Sequence, residues 1–91
     1  MDITRHLIVT GRVQGVGFRH FVIHAAQDMG VTGWVRNRSD GSVEAVISGT
    51  ADAVALMIER TRRGPRLAAV QNLQVSDAEG IFDRFELLPT L

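Results

Sequence analysis

The sequence contains no cysteine and no tyrosine, and all ten of its strongly basic residues are arginine, so lysine is missing as well. Each absence removes a chemistry. Without lysine there is no Schiff-base catalysis, and the phosphate-binding loop of the nucleotide hydrolases lacks its cation. Without cysteine there is no thiol nucleophile, no disulfide and no cysteine-held zinc or iron–sulfur centre. The arginines are balanced by ten acids, giving a formal charge of zero. That balance argues against a nucleic-acid partner, because modules that grip nucleic acid carry a basic surplus or stripe. Aromatic residues make up 5% of the chain, few for stacking on bases. Every apolar run falls short of the roughly 18 residues of a membrane span, and the N-terminus mixes acid and base where a secretory leader is apolar. A cytoplasmic protein without a membrane or nucleic-acid partner is the expectation.

What is present suits one small core. The chain has 91 residues, 45% of them hydrophobic, and is read as a single domain over 1–91; a chain of this size buries only about 60% of its unfolded surface. From Thr4 to Val13 the residues alternate, with Leu7, Val9, Gly11 and Val13 on one face and His6, Ile8, Thr10 and Arg12 on the other. A period of two is that of a strand. From Phe18 the apolar positions become Phe18, Phe21, Val22, Ala25, Ala26 and Met29, one face of a helix, with Gly30 as its stop. Val31 to Arg38 resumes an extended pattern, and Asp40-Gly41 signals a hairpin into a third strand at Val43 to Ile47.

Thr50 and Asp52 open a second helix, and Arg60, Arg62 and Arg63 close it before Gly64-Pro65, so both ends complement the helix dipole. Its stripe of Val54, Met57, Ile58 and Thr61 covers one face of a sheet. A fourth strand is expected over 68–75, and after a turn at 77–80 a last strand near 82–88, read as one piece or two. The order βαββαβ implies an α+β, ferredoxin-like two-layer sandwich, an antiparallel sheet with two helices on one face.

The segment Val13-Gln14-Gly15-Val16-Gly17-Phe18-Arg19 joins a strand to a helix through a glycine-spaced loop. Glycines at this spacing let backbone N–H groups turn inward as a nest, and the helix N-terminus adds free donors and partial positive charge. Such a loop favours a tetrahedral dianion, and Arg19 adds a planar fork that lysine does not reproduce. Taken alone, two glycines do no more than permit a tight turn, and the dinucleotide-binding fingerprint fails because His20 stands where its third glycine belongs.

A second segment, Gly33-Trp34-Val35-Arg36-Asn37, followed by Asp40-Gly41-Ser42-Val43-Glu44, changes the balance. With Gly11 to Arg19, Ala26, Gly30 and Gly64-Pro65 in order and at the expected spacing, the chain resembles the acylphosphatases, small hydrolases of carboxyl–phosphate anhydrides. The resemblance spans nearly the whole chain. It implies the same sandwich fold, a catalytic arginine at Arg19, a catalytic asparagine at Asn37 and a phosphate cradle formed by Gln14, Gly15, Val16, Gly17 and Phe18 together with Arg19. It also implies a small-molecule acyl phosphate substrate; no cofactor and no metal are expected, and a monomer is the expectation. The ending Glu86-Leu87-Leu88-Pro89-Thr90-Leu91 departs from the tyrosine or basic residue with which the family often closes its last strand.

The remaining polar residues have plainer readings. His20 and His24 lie one helical turn apart but without a third ligand, and are read as solvated. Trp34 is expected in the core between strand and helices. Arg36 and Arg38 should face away from Asn37 as surface charge, paired with acids across the hairpin, and Glu44 is a base candidate only by its nearness to the turn. Two other functions compete. The acylphosphatase-like domain of the hydrogenase-maturation carbamoyltransferases shares the Val-Gln-Gly-Val-Gly-Phe-Arg loop, but it follows the arginine with proline, where this chain has His20 and runs on only to Leu91. A non-enzymatic binding module of the same fold that docks RNA would need exposed aromatic residues and a basic groove, and a metal chaperone would need cysteine.

Overall fold

Alternation, helical periodicity and the caps between them produce seven elements. In the computed structural model, which describes residues 1–91, these are β1 (Asp2–Arg12), α1 (Phe18–Met29), β2 (Thr32–Asn37), β3 (Val43–Thr50), α2 (Ala51–Arg63), β4 (Ala69–Asp77) and β5 (Phe85–Leu87). The helix punctuation is where the sequence places it. Gly30 takes a left-handed φ of 67° beyond α1, and Val31 N–H donates to the Ala26 carbonyl at 2.9 Å, closing the last turn. At α2 the Thr50 hydroxyl accepts from Ala53 N–H at 3.2 Å. The buried Thr61 satisfies its own hydroxyl by donating to the Met57 carbonyl at 2.8 Å.

The sheet runs in the order β4-β1-β3-β2-β5. β3 pairs antiparallel with both β1 and β2, and β4 pairs antiparallel with β1. Two crossovers through α1 and α2 therefore lay both helices on one face. There Leu7, Val9, Val35, Val43, Ala45 and Ile47 pack against Phe18, Val22, Ala25, Ala26, Val54 and Met57 as one buried cluster. The expectation of an antiparallel sheet holds for four strands and needs correcting for the fifth, since β5 lies parallel to β2 and the sheet is mixed. The direction follows from the route of the chain. After β4 it reverses and crosses to the far edge, and because β2 already runs opposite to β4, a strand reversed from β4 meets β2 in parallel.

The other sheet face has no helix over it. Trp34 lies on this face, correcting its expected place in the core. β2 sends Gly33 and Val35 inward, so the intervening Trp34 and Arg36 point outward. The Arg36 guanidinium covers the indole at 4.7 Å from the ring centroid. The same Arg36 donates from Nε to Glu44 at 2.7 Å, and His6 donates from Nε2 to the other carboxylate oxygen at 2.6 Å. Glu44 is 8% exposed. Burial alone would raise its pKa, but the hydrogen bonds from His6 and Arg36 and the arginine charge outweigh burial and leave it below the ordinary carboxylate value.

A folded-state pKa held below the unfolded one contributes stability that is complete above the unfolded value and is lost as pH falls through the folded value. Glu44 is therefore expected to sharpen acid unfolding. Urea titrations from pH 7 downward should show a steeper acid-side loss of stability in the parent than in Glu44→Gln, which has no carboxylate to protonate; superimposable acid limbs would remove Glu44 from this role.

Candidate active site

β1 and β2 both run antiparallel to β3, so they are parallel to each other and end at the same edge of the sandwich. The loop that leaves β1 therefore meets the hairpin that leaves β2. In that loop Gly15 and Gly17 take φ of 73° and 80°, while no non-glycine residue has a positive φ. Left-handed glycines on either side of an ordinary Val16 turn successive N–H groups to one side. Gly17 is the N-cap of α1 and no side chain caps it. The N–H groups from Gly15 to Arg19 find no acceptor within the chain, leaving a run of donors at a helix N-terminus.

Two things hold this loop in place. Phe18, 2% exposed, sinks its ring into the core, with the Phe21 ring centroid 6.2 Å away. Across from it stands Gly64, where an added Cβ would come within 2.9 Å of the Phe18 ring, so the Gly64-Pro65 segment after α2 serves to admit that ring. The other anchor is Gln14, whose Nε2 donates to the carbonyls of Arg38 at 2.8 Å and Ser42 at 2.9 Å. Gln14 thus begins the loop with its amide donors committed to the neighbouring hairpin.

Arg19 is half-buried in the first turn of α1. Arg5, Arg36, Arg60, Arg62 and Arg84 each face an acid; Arg19 does not, and its guanidinium remains free for another anion. Asn37 closes β2 opposite the buried Val43, and its Oδ1 is buried with no hydrogen-bond partner. Such an atom costs free energy unless something donates to it. Its main chain is well held: Leu91 N–H donates to the Asn37 carbonyl at 3.0 Å, and Ser39 N–H donates to the Leu91 carbonyl at 2.9 Å.

Loop and hairpin are thus brought together, and the other candidates are not. Glu44, Arg36 and Trp34 lie across the sheet, on the face away from Asn37. Asp40 is exposed in the hairpin, where its carboxylate accepts from the Ser42 hydroxyl at 2.6 Å and the Ser42 N–H at 2.9 Å. The Ser42 hydroxyl, then its N–H, holds the Asp40 pKa low. His20 and His24 are exposed on α1, and no three histidine, aspartate or glutamate side chains assemble as metal ligands. Sequence reasoning missed the Gln14 bonds and the pairing of Leu91 with Asn37, because both join segments far apart in the chain and neither has a local signature.

The acylphosphatase family model matches residues 5–87. The chain belongs to the acylphosphatase family. It is a hydrolase of the acylphosphatase class, as the resemblance implied. It is 50% identical to the acylphosphatase of Nitrobacter hamburgensis, over 99% of this chain and 98% of that one. Among solved structures it is similar to an acylphosphatase from Coxiella burnetii, with a TM-score of 0.92 and 35% identity over 96% of this chain and 93% of that one. Full-length HypF, in a phosphate- and nucleotide-bound form, also contains the fold, with a TM-score of 0.92 and 27% identity, but the match covers only 12% of that chain. Higher identity and coverage of nearly the whole relative place this chain with the small acylphosphatases. No helix is long and apolar enough to cross a membrane.

The acylphosphatase loop is expected to depend on its Phe18 anchor. Phe18→Ala should destabilise the chain by about 3–5 kcal/mol through the lost ring and the cavity it leaves, and Gly17→Ala by about 1–2 kcal/mol through its left-handed φ. Equilibrium urea unfolding measures both, and a Phe18→Ala midpoint equal to that of the parent would contradict the anchoring role.

Proposed function

We propose that the chain hydrolyses acyl phosphates to a carboxylate and inorganic phosphate by in-line attack of water, without a metal or cofactor. The observation that carries this reading is the unbonded run of N–H groups from Gly15 to Arg19, opening a helix beside an arginine that faces no acid. These groups cradle the phosphate dianion. An acyl phosphate already has a good leaving group, a carboxylate whose conjugate acid has a pKa of roughly 4. No strong general acid is required, and what remains is to hold the dianion, neutralise charge developing on its equatorial oxygens and place the water in line.

The cradle and the Arg19 fork perform the first two tasks. Asn37 performs the third: its side-chain amide, whose Oδ1 has no partner within the chain, holds the water and directs a lone pair of the water oxygen toward phosphorus. That oxygen forms the new P–O bond as the bond to the carboxylate oxygen breaks, and the electron pair leaves with the carboxylate. The water's proton passes to a phosphate oxygen of the substrate. The nearby carboxylates give no better acceptor, since Glu44 lies on the other sheet face and Asp40 is tied to Ser42. The reading takes the chain to act as a monomer, and the composition supports a cytoplasmic setting.

Phosphate release from benzoyl phosphate, compared with para-nitrophenyl phosphate and ATP, tests the substrate class. Selective turnover of benzoyl phosphate, unaffected by exhaustive chelation, is expected; equal turnover of all three would indicate a general phosphatase. Arg19→Ala should lose about 10²–10³ in rate or more, because a preorganised donor and a charge are both removed, and Arg19→Lys should not restore it.

Asn37→Ala should lower kcat while leaving competitive inhibition by inorganic phosphate unchanged. Parent kcat in this variant would remove Asn37 from the role of holding water.

A further inference from the structure

The reaction brings together two segments that the sheet does not join. β3 lies between β1 and β2, so no ladder hydrogen bond links the end of β1, which feeds the cradle, to the end of β2, which carries Asn37. Hydrophobic packing anchors the loop through Val13, Val16 and Phe18, but it stops short of the hairpin. The hairpin from Arg38 to Ser42 contributes no residue to the buried apolar cluster, whose nearest members are Val35 and Val43. The hydrogen bonds that cross from the loop to this hairpin are those of Gln14, to Arg38 at 2.8 Å and to Ser42 at 2.9 Å.

Those two carbonyls also close the hairpin. Arg38 N–H donates to the Ser42 carbonyl at 2.9 Å, and Gly41 N–H donates to the Arg38 carbonyl at 3.1 Å. A carbonyl oxygen has two lone pairs and a primary amide nitrogen two hydrogens. Gln14 therefore uses both hydrogens to fill the second lone pair of each carbonyl, and the amide retains no donor for a phosphate. Its remaining polar atom, Oε1, only accepts hydrogen bonds and has no attraction for a dianion. The side chain thus belongs to the frame of the site, although its residue opens the phosphate loop.

We propose that Gln14 is a positioning residue for the hydrolysis, setting the separation between the phosphate cradle and Asn37 by bridging the two segments through one amide. The proposal rests on the water-holding role given to Asn37 above. Arg38 follows Asn37 directly, so a shift of its carbonyl moves the Asn37 amide relative to phosphorus. In-line attack is sensitive to such a shift, and a displacement of about 1 Å can cost on the order of 10²-fold in rate.

The test is a double-mutant cycle on benzoyl phosphate using Gln14→Met, Asn37→Ala and the pair, with inorganic phosphate as a competitive inhibitor. Gln14→Leu is run beside Gln14→Met; it removes both donors without adding charge, and it carries the test if the methionine variant does not fold. Each protein is assayed well below its own thermal midpoint. Gln14→Met is expected to lower kcat about ten- to a hundredfold, with phosphate inhibition as in the parent and almost no further loss when added to Asn37→Ala. An equal fold-loss in both backgrounds, or weakened phosphate inhibition, would place Gln14 on the phosphate side and overturn the proposal. Parent kcat with only a lowered thermal midpoint would reduce Gln14 to a structural tie. If Asn37→Ala itself turns over at the parent rate, the role of Asn37 fails first; if it is impaired and Gln14→Met is not, the tether alone fails.

Discussion

Val43 pairs with Val9 of β1 on one side and with Asn37 of β2 on the other. That row across the sheet is the constraint on which the site depends. Val9 and Val43 are fully buried, and all three side chains share the helix-covered face. Because side chains alternate strictly along a strand, a slip of one residue between β2 and β3 would turn Val35 out of the core and send Arg36 into the place of Asn37. The apolar core therefore sets the register, and the register aims the asparagine. Pairing to one central strand also makes β1 and β2 parallel, so the glycine loop and the Asn37 hairpin emerge at one edge.

The two sheet faces divide the charge between them. On the uncovered face Glu44 gathers His6 and Arg36, and Arg36 also shields Trp34. On the covered side, at the loop, Arg19 has no acid beside it and the first-turn N–H groups have no acceptor. The loop thereby offers a locally positive seat on a chain with no net charge. A single phosphate needs little more than a few converged donors and one planar fork, whereas a polyanion would require a basic surface.

Much of this was legible in the sequence. The helix ends at Gly30 and Thr50, the two faces of β1, and the glycine-spaced loop all follow from local preferences that tertiary contacts have no reason to override. Arg19 and Asn37 were singled out by the motifs around them, and the fold brings the loop and the hairpin that carry them together. Trp34 was not, because a large aromatic residue suggests the core until the parity of its strand is known, and that parity was already visible in Gly33 and Val35. The parallel β5 was hidden for another reason: its direction depends on which edge the chain reaches after β4. Gln14 read as part of a phosphate loop, and only the folded chain shows its amide turned to Arg38 and Ser42.

The sequence by itself determined most of the elements, the faces that β1, α1 and α2 bury, and the residue types proposed to hold a phosphate and a water. Period, caps and left-handed glycines act within a few residues, so they are written locally. The tertiary structure decided which segments meet: Phe18 against Gly64, Gln14 against the hairpin, Leu91 beside Asn37, and Glu44 on the face away from the site. Those contacts join residues distant in the chain, and their geometry exists only once β3 has taken its place between β1 and β2.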